Sequence, residues 1–221
     1  MRRFFDWLRR RHTVTTPSTN TPQIRWLEPN ENPFGVRMLD CRSYALGRVS
    51  TTGSPQVAMT YGKLRGSFGE EYRGKLPNEP RSVVCSFNVP LDRPAEHGPL
   101  FKSREMEEKW DIYFYDGYLY FTRSWTGELI HRAAAQAHER NVQVTCIESH
   151  LNEETDEYIA QEVDFLIKSH VVGFASVHPL PPSRSAASPE ELAAFSYAKY
   201  GRRGLYGTFA NTLTVKMSPS G

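Results

Sequence analysis

Trp110-Asp111-Ile112-Tyr113-Phe114-Tyr115-Asp116-Gly117-Tyr118-Leu119-Tyr120-Phe121-Thr122-Arg123-Ser124-Trp125-Thr126-Gly127 is the stretch on which the fold turns. Two aromatic runs flank Asp116-Gly117, a pair suited to a two-residue hairpin turn because both positions must accept positive φ. A two-residue turn sets the register, and the register sorts side chains onto two faces. One face carries Trp110, Ile112, Phe114, Leu119, Phe121 and Arg123. The other carries Asp111, Tyr113, Tyr115, Tyr118, Tyr120 and Thr122. The first reads as a core face with one cation in it, the second as a ladder of four tyrosines.

Working outward, a strand is predicted from Glu128 to about Ala137. A turn at His138–Asn141 leads into another over Val142–Ile147, which makes a four-stranded antiparallel meander over 110–148. Upstream, Val36–Cys41, Tyr44–Val49, Val57–Tyr61 and Ser82–Val89 are strand candidates between glycine and proline breaks. Ser103 is a candidate cap for one or two helical turns over 103–109. Downstream, Thr155 caps a helix over 155–172, in which Ile159, Val163, Leu166 and Ile167 recur at helical spacing. Ser188, Pro189 and Glu191 form a capping box opening a helix over 189–200. Phe174–Val177 and Thr208–Met217 complete the predicted strands. The fold class is α+β: a mostly antiparallel sheet centred on 110–148, extended by strands from 36–89, with two main helices.

The composition suits one globular domain of 221 residues, with 39% hydrophobic and 24% charged residues. Its net charge of +2 is uneven: residues 1–12 hold five arginines against Asp6, a net +4, leaving −2 on the remainder. An acidic body argues against a nucleic-acid-binding core. Residues 1–21 read as a basic segment followed by a Thr/Ser/Pro-rich linker, and 22–221 as the single domain. Phe4, Phe5, Trp7 and Leu8 among the arginines leave two readings open, a weak contact with an anionic membrane surface or a terminus tucked against the body. No apolar run suits a membrane span or a secretory signal, so a cytoplasmic address is expected. Cys41, Cys85 and Cys146 form no C-x-x-C pair and read as small buried residues in a reducing compartment.

Catalytic signatures are sparse. Ser124-Trp125-Thr126-Gly127 is not a G-x-S-x-G elbow and reads as a turn. Cys146, Glu148 and His150 share one side of a strand, but three ligands on one short strand rarely converge on a metal. Gly66–Glu71 lacks the Lys-Ser/Thr ending of a phosphate-cradling loop. The Gly201-Arg202-Arg203-Gly204 loop sits at a helix C-terminus, where arginines suit the dipole. No catalytic residue, metal site or cofactor is therefore assigned. Arg123 has two readings: bonded to nearby carbonyls or to an acid such as Glu128, it locks a corner; presented between aromatic walls, it receives a carboxylate or phosphate. The tyrosine face likewise either packs under the 155–172 helix, next to Ala133, Ala135 and Ala137, or stands as a recognition surface.

The run W-x-I-Y-x-Y-D-G-x-L-Y-F-x-R-S-W-T-G resembles a motif of small uncharacterised bacterial proteins. Asn32-Pro33-Phe34-Gly35-Val36 to Cys41, and Gly98-Pro99-Leu100-Phe101, are similar to the longer members of that group. The resemblance covers about residues 30–150 and implies a recurrent sheet with no catalytic residue. The functional expectation is a non-enzymatic interaction protein, of immunity or partner-neutralising type. It would bind a protein through Tyr113, Tyr115, Tyr118, Tyr120, Arg123 and Trp125. The alternative is a small hydrolase or nucleotide-handling enzyme that uses Arg123 with Asp111 or Glu128.

Overall fold

A computed structural model describes residues 23–213. The basic segment at 1–12, and the part of the strand expected over Thr208–Met217 that lies beyond residue 213, fall outside them; the last described strand ends at Thr208. The chain forms an α+β fold around a six-stranded antiparallel sheet. In chain order the strands of that sheet are β3 (Arg81–Pro90), β4 (Gly98–Phe101), β5 (Trp110–Tyr115), β6 (Tyr118–Arg123), β7 (Leu129–His138) and β8 (Asn141–Ser149). Their spatial order is β3-β8-β7-β6-β5-β4, so the predicted meander β5 to β8 forms the middle of the sheet. The hairpin register is the expected one: Trp110 faces Arg123, Ile112 faces Phe121, and Tyr115 faces Tyr118. Asp116 and Gly117 take φ of 50° and 78°, the left-handed pair that a tight hairpin turn demands.

A second sheet of four short strands holds β1 (Arg25–Leu27), β2 (Met38–Asp40), β9 (Val177–Pro179) and β10 (Tyr206–Thr208), in the order β1-β2-β10-β9. Of the strands expected from 36–89, β3 therefore extends the large sheet and β2 belongs to the small one. The other two are helices: α1 (Arg42–Leu46) and α2 (Pro55–Arg65). In α2, Ser54 caps by accepting from the Val57 amide, Pro55 fills the first turn, and Lys63 and Arg65 suit the negative end. The short apolar run that read as a strand is outweighed by this punctuation, and among α2 residues only Tyr61 is buried. The helical turn expected at 103–109 shrinks to one turn, closed by the Glu108 amide on the Glu105 carbonyl.

Helix α3 (Asp156–Leu166) is capped by Thr155 and runs on through a π turn at Ile167–Val171. Every residue from Tyr158 to Leu166 is buried, because α3 packs on the large sheet along one side and on β9 of the small sheet along another. It covers the Trp110, Ile112, Phe114 and Phe121 face, not the tyrosine face. Ala133 and Ala135 do allow a close approach, but on this core side. Helix α4 (Pro189–Tyr200) opens with the predicted Ser188–Glu191 capping box. It packs against α1 and sends Tyr200 into the main core.

Candidate functional site

The tyrosine ladder is an internal floor. Tyr113, Tyr115 and Tyr120 are 0%, 5% and 1% exposed, and Tyr118 is half-buried. The cover is the chain that follows α2. Tyr72 stacks on Tyr113 with ring centres 5.5 Å apart. The Tyr115 hydroxyl donates to the Phe68 carbonyl at 2.9 Å, and the Tyr120 hydroxyl accepts from the Gly74 amide at 3.0 Å. Gly69, at φ +82°, lies so close that a Cβ there would sit 2.2 Å from the Tyr113 ring. The expectation that this face stands open to a partner is thus corrected for Tyr113, Tyr115 and Tyr120. Their hydroxyls are taken by backbone groups and by Lys102. Alternating tyrosines signal a half-polar layer equally well inside and outside a protein.

Asp111 belongs to that floor. Its carboxylate accepts from Lys102 Nζ at 2.7 Å and from the Ser103 amide at 2.7 Å. It lies on the opposite face of the sheet from Arg123, so the Arg123–Asp111 pair envisaged for an enzyme is not assembled. Glu128 reaches Arg123 through its backbone carbonyl, which accepts from the Arg123 amide. The guanidinium turns instead to the end of α4. It donates to the carbonyls of Lys199 at 2.8 Å and Ala198 at 3.0 Å, and its carbon sits 4.9 Å from the Trp110 ring centre. A cation on the last carbonyls of a helix offsets both their unpaired state and the dipole. This is the corner-lock arrangement. It uses two of the five guanidinium donors.

At this corner the structure opens a cleft of about 520 Å³, lined by Ser50, Thr51, Lys109, Arg123, Trp125 and Tyr197 among others. Strand β6 and the turn after it, the segment before β5, helix α4 and the loop after α1 each contribute to it. Lys109 precedes β5. Its Nζ donates to Ser50 Oγ at 2.7 Å and to the Met106 carbonyl at 2.7 Å, and it lies 4.1 Å from the Trp125 ring centre. Ser50 Oγ in turn lies 2.8 Å from the Tyr197 hydroxyl. The Ser50 amide donates to Glu107 Oε1 at 2.8 Å, which pins the loop. Trp125 is held edge-on by its Nε1–H to the Met106 carbonyl at 2.9 Å.

The electrostatics of the cleft follow from this crowding. Burial first, and the Arg123 charge second, pull the Lys109 ammonium down to about 8, against a smaller opposing pull from Glu107. Burial acts to raise Glu107, but the hydrogen bonds from the Ser50 amide and from its own amide, with the charges of Arg202 and Lys109, leave it lower than an ordinary carboxyl. The pocket thus holds two cations at pH 7, and one of them, Lys109, gives up its proton at about 8.

Of the residues singled out in the sequence, Arg123 and Trp125 meet in this cleft and the four tyrosines do not. Ser50, Lys109 and Tyr197 escaped sequence reading. They come from three separate segments, and no motif spacing links them. The other candidates disperse. Ser124 Oγ donates to the Glu108 carbonyl. Glu148 is held by Arg132 through two bonds of 2.6 Å, and His150 Nδ1 is 2.8 Å from the Asn78 carbonyl, so neither converges with Cys146. Among the described residues no cluster of three His, Cys, Asp or Glu side chains could hold a metal, and no helix is long and apolar enough to cross a membrane. The chain matches no protein-family model, and neither a curated protein nor a solved structure shows significant similarity to it.

Proposed function

We propose that this is an interaction protein whose recognition site is the cleft beside Arg123 and Trp125, and that the site takes a carboxylate presented by a protein segment. One observation carries this reading: Lys109 and Arg123 line the same open cleft with Trp125 and Tyr197 as its walls. A volume of about 520 Å³ suits one or two side chains or a small ligand. A partly desolvated pair of cations attracts an anion more strongly than exposed cations do. Because Tyr113, Tyr115 and Tyr120 are buried, we place the recognition site at the end of the hairpin rather than on the sheet face.

Titration calorimetry at pH 7 tests the reading with three probes: a short peptide bearing adjacent glutamates, free glutarate, and inorganic phosphate. The peptide is expected to bind, and Lys109→Met to weaken it about tenfold, the worth of one charge-assisted bond. Binding of glutarate alone would move the ligand from a protein segment to a small organic acid. If no probe binds at millimolar concentration, or if Lys109→Met binds as wild type does, the proposal fails.

A further inference from the structure

Ser50, Lys109 and Tyr197 do more than line a wall. We infer that Ser50 is an acylatable nucleophile, activated by Lys109 and oriented by Tyr197, and that the cleft cleaves small esters or activated acyl compounds. The inference concerns the cleft of the preceding section but does not depend on an anion binding there.

Three features of the geometry support it. Ser50 Oγ is within hydrogen-bond reach of an amine on one side, at 2.7 Å, and of a phenol on the other, at 2.8 Å. A nucleophile bonded to a base that is itself held in place is the arrangement that activates a hydroxyl, and an amine can serve as that base. Lys109 Nζ is held beside Ser50 by its bond to the Met106 carbonyl, and it lies 4.1 Å from the Trp125 ring centre and 5.4 Å from that of Tyr197. Finally, all three groups open onto a space large enough for a small acyl compound.

The chemistry balances with these groups alone. Ser50 Oγ attacks the acyl carbon and a C–O bond forms while its proton passes to Lys109 Nζ. The carbonyl π pair moves onto the carbonyl oxygen, whose charge develops in a cleft that also holds the Arg123 cation. When that pair reforms the double bond, the bond to the leaving group breaks, and the leaving group takes the proton from Lys109. A water molecule then attacks the Ser50 ester and gives a proton to Lys109. Lys109 returns that proton to Oγ as the ester bond breaks. The net reaction is ester plus water to acid plus alcohol, and no outside oxidant or cofactor enters.

The base must be neutral to act. The charged groups around Lys109 are Arg123 from β6, which disfavours its proton, and Glu107 from its own segment, which favours it. Tyr197 from α4 contributes a neutral hydroxyl. Together with burial they bring Lys109 to about 8, so about a tenth of the molecules carry a free amine at pH 7.

An alkyl fluorophosphonate provides a test that needs no knowledge of the substrate and carries no anionic group. Incubated with the full chain at pH 8.5, it is expected to add one phosphonyl group, mapped to Ser50 by peptide mass spectrometry. Ser50→Ala should remove the adduct. Lys109→Arg keeps the positive charge but does not release a proton near neutrality, and should slow labelling by about 100-fold, the usual contribution of a general base. Tyr197→Phe should slow it less. The wild-type rate should rise with pH to a plateau above about 8. Absence of an adduct on Ser50 in folded wild-type protein would overturn the inference. So would an adduct on another residue only, or equal rates in wild type and Lys109→Arg. Anion binding without labelling would leave the recognition proposal standing while this one falls, and labelling without anion binding the reverse.

Discussion

Glu162→Gln preserves the shape of a fully buried side chain and removes its charge. Glu162 on α3 holds α4 in place: its carboxylate accepts from Lys199 Nζ at 2.9 Å and from the Tyr200 hydroxyl at 2.9 Å, and lies 3.3 Å from His131 Nε2. The backbone carbonyl of the same Lys199 receives both Trp110 Nε1 and Arg123, so the pair supports the corner that forms the cleft. Burial alone would raise the Glu162 carboxyl. The Lys199 ammonium, with hydrogen bonding from His131, overcomes it and holds the carboxyl at about 2 against an ordinary 4.5. Burial depresses His131, which leaves the imidazole neutral at pH 7 and makes Lys199 the charged partner. The gap between 4.5 and about 2 corresponds to about 3 kcal/mol of stability. Because the folded value lies below the unfolded one, this contribution is complete above pH 4.5 and is lost as pH falls toward 2. The unfolded chain also protonates His131 below about 6.5 while the native state resists it, so acid weakens both proteins through that group. Urea unfolding followed by circular dichroism at pH 7, 5, 4 and 3 measures the effect. Glu162→Gln should be about 3 kcal/mol less stable at pH 7, within the range for breaking a buried pair, and the gap should narrow toward pH 3. Equal stability at pH 7, or a gap that stays constant down to pH 3, would mean that the Glu162 charge does not hold α4 in place.

Three further outcomes follow from other positions. Gly69→Ala should cost about 2–4 kcal/mol, since the new Cβ meets the Tyr113 ring at 2.2 Å from a left-handed backbone; a thermal melt unchanged from wild type would mean that the cover over the tyrosine floor yields freely. Arg123→Met should cost about 2–3 kcal/mol through two lost carbonyl bonds and the Trp110 contact. Hydrogen exchange should then accelerate at the end of α4, and unchanged protection there would remove the corner-lock role. Lys109 is depressed in the folded protein, so the unfolded chain binds more protons between about 8 and 10.5, and stability should rise with pH across that window. In urea unfolding Lys109→Met should lack this slope; a slope shared by both proteins would place its origin elsewhere.

The parts of the molecule legible in the sequence are those governed by neighbours in the chain. Asp116-Gly117 demanded a left-handed turn, and the turn dictated every pairing from Trp110–Arg123 to Tyr115–Tyr118. Ser188, Pro189 and Glu191 marked the start of α4, and Thr155 that of α3, because a cap satisfies amides only a few residues away. Val57–Tyr61 reads as a strand in sequence yet folds as a helix, for a local reason of its own. The Ser54-Pro55 signal at its start is the same device as Ser188-Pro189, but most of α2 is exposed and only Tyr61 is buried, so its apolar spacing conveys little.

Local pattern alone thus specifies an antiparallel hairpin meander, its two faces and the starts of its main helices. Tertiary structure decided which face each cover takes: α3 lies on the tryptophan and phenylalanine side, and the chain after α2 closes the tyrosine side. It also brought Ser50 to Lys109 across 59 positions and to Tyr197 across 147. Register is a short-range property of the backbone, repeated at every residue of a strand. The choice of cover and the meeting of three distant side chains depend on how whole elements share buried area, and no local pattern encodes that sum.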